Sequence, residues 1–427
     1  MKFRTFIVIL LLSFIFVPRV WAADADVRIL ESDHDSALAR IKLMRGAKSE
    51  LLMSVFNVRD DVVGLSFFAM AREAARAKVD TKILIDGLFF NTHPRLIAHL
   101  QNEGVQIRVY NPIKKNFLAQ KTGIFTKRMH GKLVIGDGSE LITGGRNMGQ
   151  DYFGIKTVKK NYAWLDRDLY AKGTVVSEAK TAFQELWKEG ASPESSSLKG
   201  LSAREIEQEG KILDHFAAVT THYADQYPEF ENQLRKVTDI HFMSNFGKRP
   251  MIGMNTSDLI ELIRSSKRTI TIQTPYLFLT NEFSKAILDA RNRGVKVVAM
   301  VNRDNFKGKN ALEDLYGSTH YAQRKRLINE GVELWEDTSS KDIHAKSMVI
   351  DGKIAYVGSD NFSPRSADLD FEAGLLVRDE KLAQELESNI HAFKKTSQLA
   401  TLTNGTAHTK LENCVMQLMK IFMGKTL

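Results

Sequence analysis

Cysteine is almost absent from this 427-residue chain, with Cys414 the single copy. One thiol excludes an intramolecular disulfide framework and any Cys-rich zinc or iron–sulfur site. Proline is scarce at 8 and glycine moderate at 27, which excludes collagen-like and Pro-rich architectures. Beyond the N-terminal segment, no stretch approaches the roughly 18 consecutive apolar residues of a membrane-spanning helix. There is no H-E-x-x-H and no G-x-x-x-x-G-K-[ST] loop, so the common zinc-hydrolase and nucleotide-phosphate signatures are missing. No sign of charge dominates: 60 basic against 51 acidic side chains leave +9. That modest excess suits an anionic partner without choosing among phosphate, lipid and nucleic acid. What is present is ordinary globular material, 43% hydrophobic and 26% charged, long enough for two or three domains.

The N-terminus reads as a targeting signal. Lys2 and Arg4 precede an apolar run over residues 6–17, and the run ends at Pro18, Arg19 and the small-residue stretch Ala22-Ala23. That is the layout of a secretory signal peptide, with cleavage expected after Ala22. An uncleaved N-terminal anchor is the alternative. The mature protein is expected outside the cytoplasm, in a bacterial periplasm, at its membrane surface, or secreted.

The remainder is written twice. Leu100-Gln101-Asn102-Glu103-Gly104-Val105 returns as Leu327-Ile328-Asn329-Glu330-Gly331-Val332. Strand-like runs at 50–58 and 269–278 are each followed by a helical pattern, at 65–77 and 283–293. Buried-strand runs follow at 82–86 and 295–301, then at 105–110 and 332–335. Strand–helix–strand alternation predicts α/β lobes with helices on both faces of mixed, mostly parallel sheets. The expected organisation is a signal peptide at 1–22, a first lobe at 23–190 and a linker with a helical connection at 191–237. A second lobe at 238–395 and a tail at 396–427 complete it. Residues 203–237 read as charged and helical. Two similar lobes suggest a pseudo-twofold arrangement with one site at their interface.

The chemistry sits in a repeated histidine segment. His130-x-Lys132 is followed by Asp137, Gly144, Gly145 and Asn147; His344-x-Lys346 is followed by Asp351, Gly358, Ser359 and Asn361. Both copies obey H-x-K-x4-D-x6-G, with Asn three residues beyond the Gly. His and Lys two apart on a strand share a face. The D-G sequences at 137–138 and 351–352 predict hairpins. Each unit would present an imidazole, an ammonium and, through the small residues at 145 and 359, a backbone amide to an anion. At a D-G turn, Asp often serves turn geometry alone, so Asp137 and Asp351 read more readily as supports than as reacting groups.

At these residues the chain resembles the phospholipase D superfamily, across residues 27–393. Gly144-Gly145-Arg146-Asn147-Met148-Gly149, Trp164-Leu165-Asp166, Thr274-Pro275-Tyr276 and Ser359–Ser366 resemble its cardiolipin synthase branch. The resemblance implies a bilobal fold, phosphodiester exchange through a covalent phosphohistidine, and no metal or other cofactor. It implies catalytic roles for His130, Lys132, Asp137, His344, Lys346 and Asp351, with His130 as nucleophile and His344 as acid/base. It implies phosphate contacts from Gly145, Asn147, Ser359 and Asn361, and carboxylates at Asp166 and Glu372 that orient the imidazoles. The copies depart at Gly145 against Ser359 and at Asp166 against Glu372, and Asp168 lies beside Asp166. The insertion before Asp166 carries Lys156, Lys159 and Lys160.

Lysines at 132 and 346 can neutralise phosphate oxygens, and the Asn and Ser side chains can donate as charge builds. Residues 114–132 mix Lys114, Lys115, Lys121, Lys127 and Arg128 with Phe117, Leu118, Ile124 and Phe125. That mixture suits an anionic membrane surface; a solvated basic loop reads the same way. Residues 411–423 read either as an amphipathic membrane-binding helix or as a segment packed on the body. The expectation is a phosphatidyltransferase or phospholipase D acting on phospholipid. The alternative is an exported nuclease with the same catalytic parts, and a non-enzymatic binding module is disfavoured by two intact motifs.

Overall fold

The structure is a computed structural model. It describes residues 23–88, 90, 94–112, 127–155, 163–191, 202–225, 233–246, 249–251, 253–303, 311–339 and 341–403. The signal segment, most of the basic stretch before His130, the lysines at 156–160, the Ser-rich linker and the tail with Cys414 lie outside the described residues.

The first lobe runs β1 (Ala23–Leu30), α1 (Asp33–Gly46), β2 (Glu50–Val55), α2 (Val62–Arg76), β3 (Asp80–Asp86), α3 (Pro94–Asn102) and β4 (Gln106–Tyr110). It continues with β5 (Leu133–Gly136), β6 (Glu140–Gly144), β7 (Ala163–Leu165), β8 (Asp168–Gly173) and α4 (Val176–Glu189), before helix α5 (Ala203–Asp225). The second lobe runs β9 (Arg235–Phe246), β10 (Arg249–Pro250), α6 (Thr256–Ser265), β11 (Thr269–Gln273), α7 (Asn281–Asn292), β12 (Lys296–Asn302), α8 (Ala311–Asn329) and β13 (Glu333–Asp337). It ends with β14 (Lys341–Ile343), β15 (Lys346–Ile350), β16 (Ile354–Gly358), α9 (Pro364–Asp368), β17 (Phe371–Arg378), α10 (Glu380–Ala392) and β18 (Ser397–Leu399). Local chemistry sets the helix starts. The Asp61 side chain accepts from the amides of Val63 and Gly64 to cap α2, and Asn255 forms a capping box with Asp258 on α6.

The lobes share one continuous sheet. The order β1-β8-β6-β5-β2-β3-β4 is mirrored by β9-β17-β16-β15-β11-β12-β13, and β1 pairs antiparallel with β9 at the join, Val27 opposite Arg235. This is the expected pseudo-twofold arrangement, with mixed pairing. Among the described strands, however, parallel pairing is confined to β2-β3-β4, β11-β12-β13 and a small β7–β14 pair, apart from isolated bridges such as Met129–Phe371. Only the first two sets are joined by helical crossovers; β5–β6 and β15–β16 return as hairpins and must run antiparallel. "Mostly parallel" therefore overstates the sheet. Val109 exchanges backbone hydrogen bonds with Ala191 at the outer side of β4, and β18 pairs with β13 at the other extremity.

Two expected boundaries move. The helical reading of 203–237 ends with α5 at Asp225, and β9 begins at Arg235, burying Val237, Ile240 and Phe242. A division at 238 would cut that strand. Helix α5 is held to the first lobe: Leu213 is buried, and Arg72 donates to the Gly210 carbonyl at 2.9 Å and pairs with Asp214 at 2.7 Å.

Asp137 and Asp351 stand at the ends of β5 and β15 away from the histidines, seven residues or roughly 20 Å along the strand. Both occupy left-handed turn backbone, at φ 51° and 55°. Asp137 accepts from the amides of Lys48, Ser49 and Glu50 and from the Ser49 hydroxyl. Asp351 accepts from the amides of Lys267, Arg268 and Thr269. Each therefore ties its hairpin turn to the start of a central strand, and neither reaches the reacting groups. Burial acts to raise the Asp137 carboxyl, but these amides outweigh it and hold it down at about 2. Asp137→Ala should cost about 1–3 kcal/mol of stability, read from the urea midpoint, with activity per folded molecule nearly unchanged. A folded-state value below the unfolded one, near 3.9, stabilises only above it. The loss should therefore be full above about pH 4 and shrink towards about pH 2.

Candidate active site

Each histidine sits just before its hairpin strand, and its backbone docks on the opposite lobe. The amides of His130 and Gly131 donate to the Phe371 carbonyl at 2.9 and 2.8 Å. Those of His344 and Ala345 donate to the Leu165 carbonyl at 2.7 and 3.1 Å. Phe371 and Leu165 immediately precede the two expected orienting carboxylates. The side chains consequently cross the interface as well. His130 Nδ1 lies 2.9 Å from Glu372 Oε2, and His344 Nδ1 lies 2.6 Å from Asp166 Oδ2. With the carboxylate on Nδ1, the proton sits there and Nε2 is left to react.

Burial shapes the charges. It pushes His130 well below the ordinary imidazole range, helped by Lys132, Lys346 and Arg365, so His130 responds to charges from both lobes. His344 is pushed down to about 3 by burial and Lys346, against the pull of Asp166. Both shifts favour the neutral ring. Burial also lowers Lys346 to about 7 and Lys132 to about 8, with Asp166 and Glu372 opposing it. Lys132 Nζ donates to the His130 carbonyl at 2.5 Å, and Lys346 Nζ contacts the His344 carbonyl and lies 2.9 Å from its Nδ1. The carboxylates differ. Burial raises Glu372 to about 7 despite the lysines, whereas Asp166 is held well below its usual range against burial by His344, Lys346 and Arg146.

The pair Gly145 and Ser359 behaves unlike its reading as phosphate contacts. Their amides are committed to the sheet, Gly145 to the Arg167 carbonyl at 3.1 Å and Ser359 to the Ala373 carbonyl at 2.9 Å. The Ser359 hydroxyl donates to Glu372 Oε2 at 2.5 Å, so in this arrangement its hydrogen steadies a carboxylate. A Cβ on Gly145 would lie 2.0 Å from Asp166 Oδ1. The two sequence departures are thus one: the shorter Asp166 occupies the room that a side chain at 145 would take. Asn147 is buried beside Tyr152, which it hydrogen-bonds, and its Oδ1 has no protein partner. Asn361 follows β16 and donates its amide to the Ser366 hydroxyl at 3.2 Å.

Neighbours that the motif did not announce complete the walls. Phe56, at the end of β2, meets His130 edge-on at 4.8 Å and lies under Lys132. Tyr152 and Trp164 flank His344 at 5.1 and 5.4 Å. Fully buried Arg167 holds Glu31 with two hydrogen bonds and reaches Gln273 and Ser347 in the second lobe at 2.7 and 2.9 Å. Asp168 is paired with Arg40 and Arg146, at 3.0 and 3.1 Å, which leaves Asp166 as the carboxylate for His344. Arg128, read as part of a membrane-facing basic stretch, is instead 1% exposed and paired with Asp86. Aromatic identity alone carried no signal for Phe56 or Tyr152, since strand and turn aromatics are usually core.

The family model for the cardiolipin synthase, PLD-like domain matches residues 41–187 and 259–394. Cardiolipin synthase C of Escherichia coli K12 is 27% identical, over 84% of this chain and 82% of its own. The probable cardiolipin synthase YwiE of Bacillus subtilis is 26% identical, over 88% of this chain and 67% of its own. Among solved structures, phosphatidylserine synthase of Haemophilus influenzae superposes with a TM-score of 0.68 at 14% identity, covering 95% of this chain and 97% of that one. At that identity the likeness is one of fold.

Gly145→Ser should displace Asp166 and loosen His344. A misplacement near 1 Å costs about a hundredfold in kcat, while the melting temperature should move little because the change is local. Ser359→Ala removes only the hydroxyl on Glu372 and should cost clearly less. Equal kinetics for Gly145→Ser and wild type would contradict the steric coupling.

Proposed function

Because the chain belongs to the phospholipase D superfamily, in its cardiolipin synthase-like branch, it is an enzyme of phosphatidyl transfer, and we propose that it exchanges phospholipid phosphodiesters through a covalent phosphohistidine, without a metal. The observation that carries this reading is the crossed pair of imidazoles. Each has Nδ1 fixed by the other lobe's carboxylate, and each stands beside a buried lysine at one interface.

In the proposed first step the bound phosphodiester's negative charge draws a proton from solvent onto His344, and His130 Nε2 attacks phosphorus. A P–N bond forms, the P–O bond to the leaving alcohol breaks, and His344, protonated, gives that alcohol its proton. In the second step an entering alcohol gives its proton to the now neutral His344. Its oxygen attacks phosphorus and the P–N bond breaks. An alcohol on a second lipid gives transfer; water gives hydrolysis. The order of roles follows the asymmetry of the carboxylates. Asp166 makes the shorter contact and stays ionised, which suits the imidazolium that His344 must carry. Glu372, raised by burial and shared with Ser359, suits a neutral His130. Lys132 and Lys346 supply the charge that a metal would otherwise provide, and Asn147 and Asn361 are retained as phosphate contacts.

We further propose that the enzyme works exported, at an anionic membrane surface. Among the described residues no helix is long and apolar enough to cross a membrane. The match to cardiolipin synthases favours lipid over the nuclease alternative.

The deciding experiment incubates purified protein with phosphatidylglycerol, phosphatidylethanolamine and plasmid DNA, and resolves the products. Lipid exchange or hydrolysis is expected; DNA cleavage with no lipid product would reverse the assignment. His130→Ala and His344→Ala should each abolish nearly all activity, with little further loss in the double variant, because groups that act as a unit are not additive. Activity should survive exhaustive chelation; loss on chelation with recovery on adding zinc, calcium or magnesium would refute the metal-free scheme. Both lysines sit below the usual range, so their ammonium charge is lost as pH rises through about 7 to 8. kcat/KM should accordingly fall on that alkaline limb. A profile flat up to the ordinary lysine range near about 10 would count against the role given to them.

A further inference from the structure

The strands β3 and β12 end on side chains that the histidine motif does not contain, Asp86 and Asn302. The two positions are equivalent. Glu50 of β2 pairs with Asp80 at the start of β3, Thr269 of β11 pairs with Lys296 at the start of β12, and each end lies six residues on. Both side chains grip the residue immediately before a histidine. Asp86 Oδ2 accepts from the Met129 amide at 2.7 Å. Asn302 Oδ1 accepts from the Ile343 amide at 2.5 Å, and its Nδ2 donates to the Ile343 carbonyl at 2.8 Å. Met129 and Ile343 are fully buried, so these peptide groups depend on the protein for their partners.

The two grips differ in chemistry, and each fits its setting. Asp86 is fully buried and also accepts from the Leu88 amide and Arg128 Nη1, at 2.8 and 3.2 Å, so a buried cation balances its charge. Asn302 is neutral and serves the donor and the acceptor of one residue. Neither could replace the other. A carboxylate at 302 has no hydrogen for the Ile343 carbonyl, and a carboxamide at 86 removes the counter-charge of Arg128. The remaining backbone and carboxylate contacts of each histidine come from the opposite lobe, through Phe371 and Glu372 or Leu165 and Asp166. Asp86 and Asn302 hold the same segments from the histidine's own lobe.

We propose that Asp86 and Asn302 are equivalent positioning residues, each fixing the backbone in front of one histidine so that Nε2 meets its reacting atom. The proposal rests on the phosphohistidine reading and deepens it: Asp86 serves the attacking ring and Asn302 the proton-transferring ring, so the two govern different steps.

The test uses phosphatidyl-p-nitrophenol, whose leaving group departs without a proton. Nitrophenolate release in the first turnover then reports attack by His130, whereas steady turnover also needs His344 to take a proton from the entering water. Asn302→Ala, which leaves no buried charge, should keep the first-turnover rate within about twofold and lower steady-state kcat about tenfold or more, with KM little changed. At Asp86 the ion pair is removed as a unit. Asp86→Asn with Arg128→Met keeps an acceptor for the Met129 amide, so its first turnover should be about tenfold faster than that of Asp86→Ala with Arg128→Met. Equal loss of both rates in Asn302→Ala, or equal rates in the two Asp86 pairs, overturns the proposal. Proton NMR needs no turnover. The downfield Nδ1–H signals of the two rings, assigned with His130→Ala and His344→Ala, should respond separately: that of His344 to Asn302→Ala, that of His130 to the Asp86→Ala pair. Movement of neither signal, or of both alike, overturns the proposal too. Should the wild type release no nitrophenol, the phosphohistidine reading has failed, and the NMR still decides whether these residues set the rings.

Discussion

The carboxylate that fixes each histidine belongs to the other lobe, and most of the architecture follows from that crossing. The proposed attack on phosphorus and the proposed proton relay both need an imidazole whose tautomer and plane are set. Here that requires Asp166 to be delivered beside His344 and Glu372 beside His130, each across the interface. The backbone carries out the delivery. The residue before each carboxylate accepts two amides from the opposite histidine segment, so the side-chain contact and the main-chain contact share one register. The β1–β9 join keeps the lobes in one sheet, and Arg167 adds a buried link from the first lobe to β11 and β15.

Burial is the second theme. Enclosing two lysines, two histidines and two carboxylates at one interface penalises every charge there, and all but Asp166 shift towards their neutral forms. Lysines drift down, Glu372 drifts up, and the rings stay neutral. An arriving phosphodiester supplies the negative charge that such a cluster lacks. Its binding favours the ammonium forms of Lys132 and Lys346.

The motif, the repeat and the hairpins were legible in the sequence because they are local. H-x-K sets two side chains on one strand face, D-G turns the chain, and β2, β3, β11 and β12 are apolar runs buried on both faces. What was not legible is non-local or ambiguous in its chemistry. Spacing within one copy cannot say which lobe's carboxylate meets which histidine. A serine hydroxyl can serve a phosphate or a carboxylate, and only the 2.5 Å contact to Glu372 shows where Ser359 points. Gly145 and Asp166 looked like separate departures because their clash is spatial, across 21 residues. The start of β9 was hidden because charged Arg235 and Lys236 continue the polar character of the helix before it.

A sheet that runs through both lobes still has two outer edges, and an open edge is a template for pairing with another chain. Here the Val109–Ala191 bridge occupies part of one edge, and three-residue β18 occupies part of the other. Both covering segments are short, and each lies late in the sequence of its own lobe. During synthesis β4 and β13 therefore exist before their covers do. Until Ala191 and Ser397 have emerged and settled, both edges stay open to pairing with another chain, so these two small contacts bear on assembly as well as on stability.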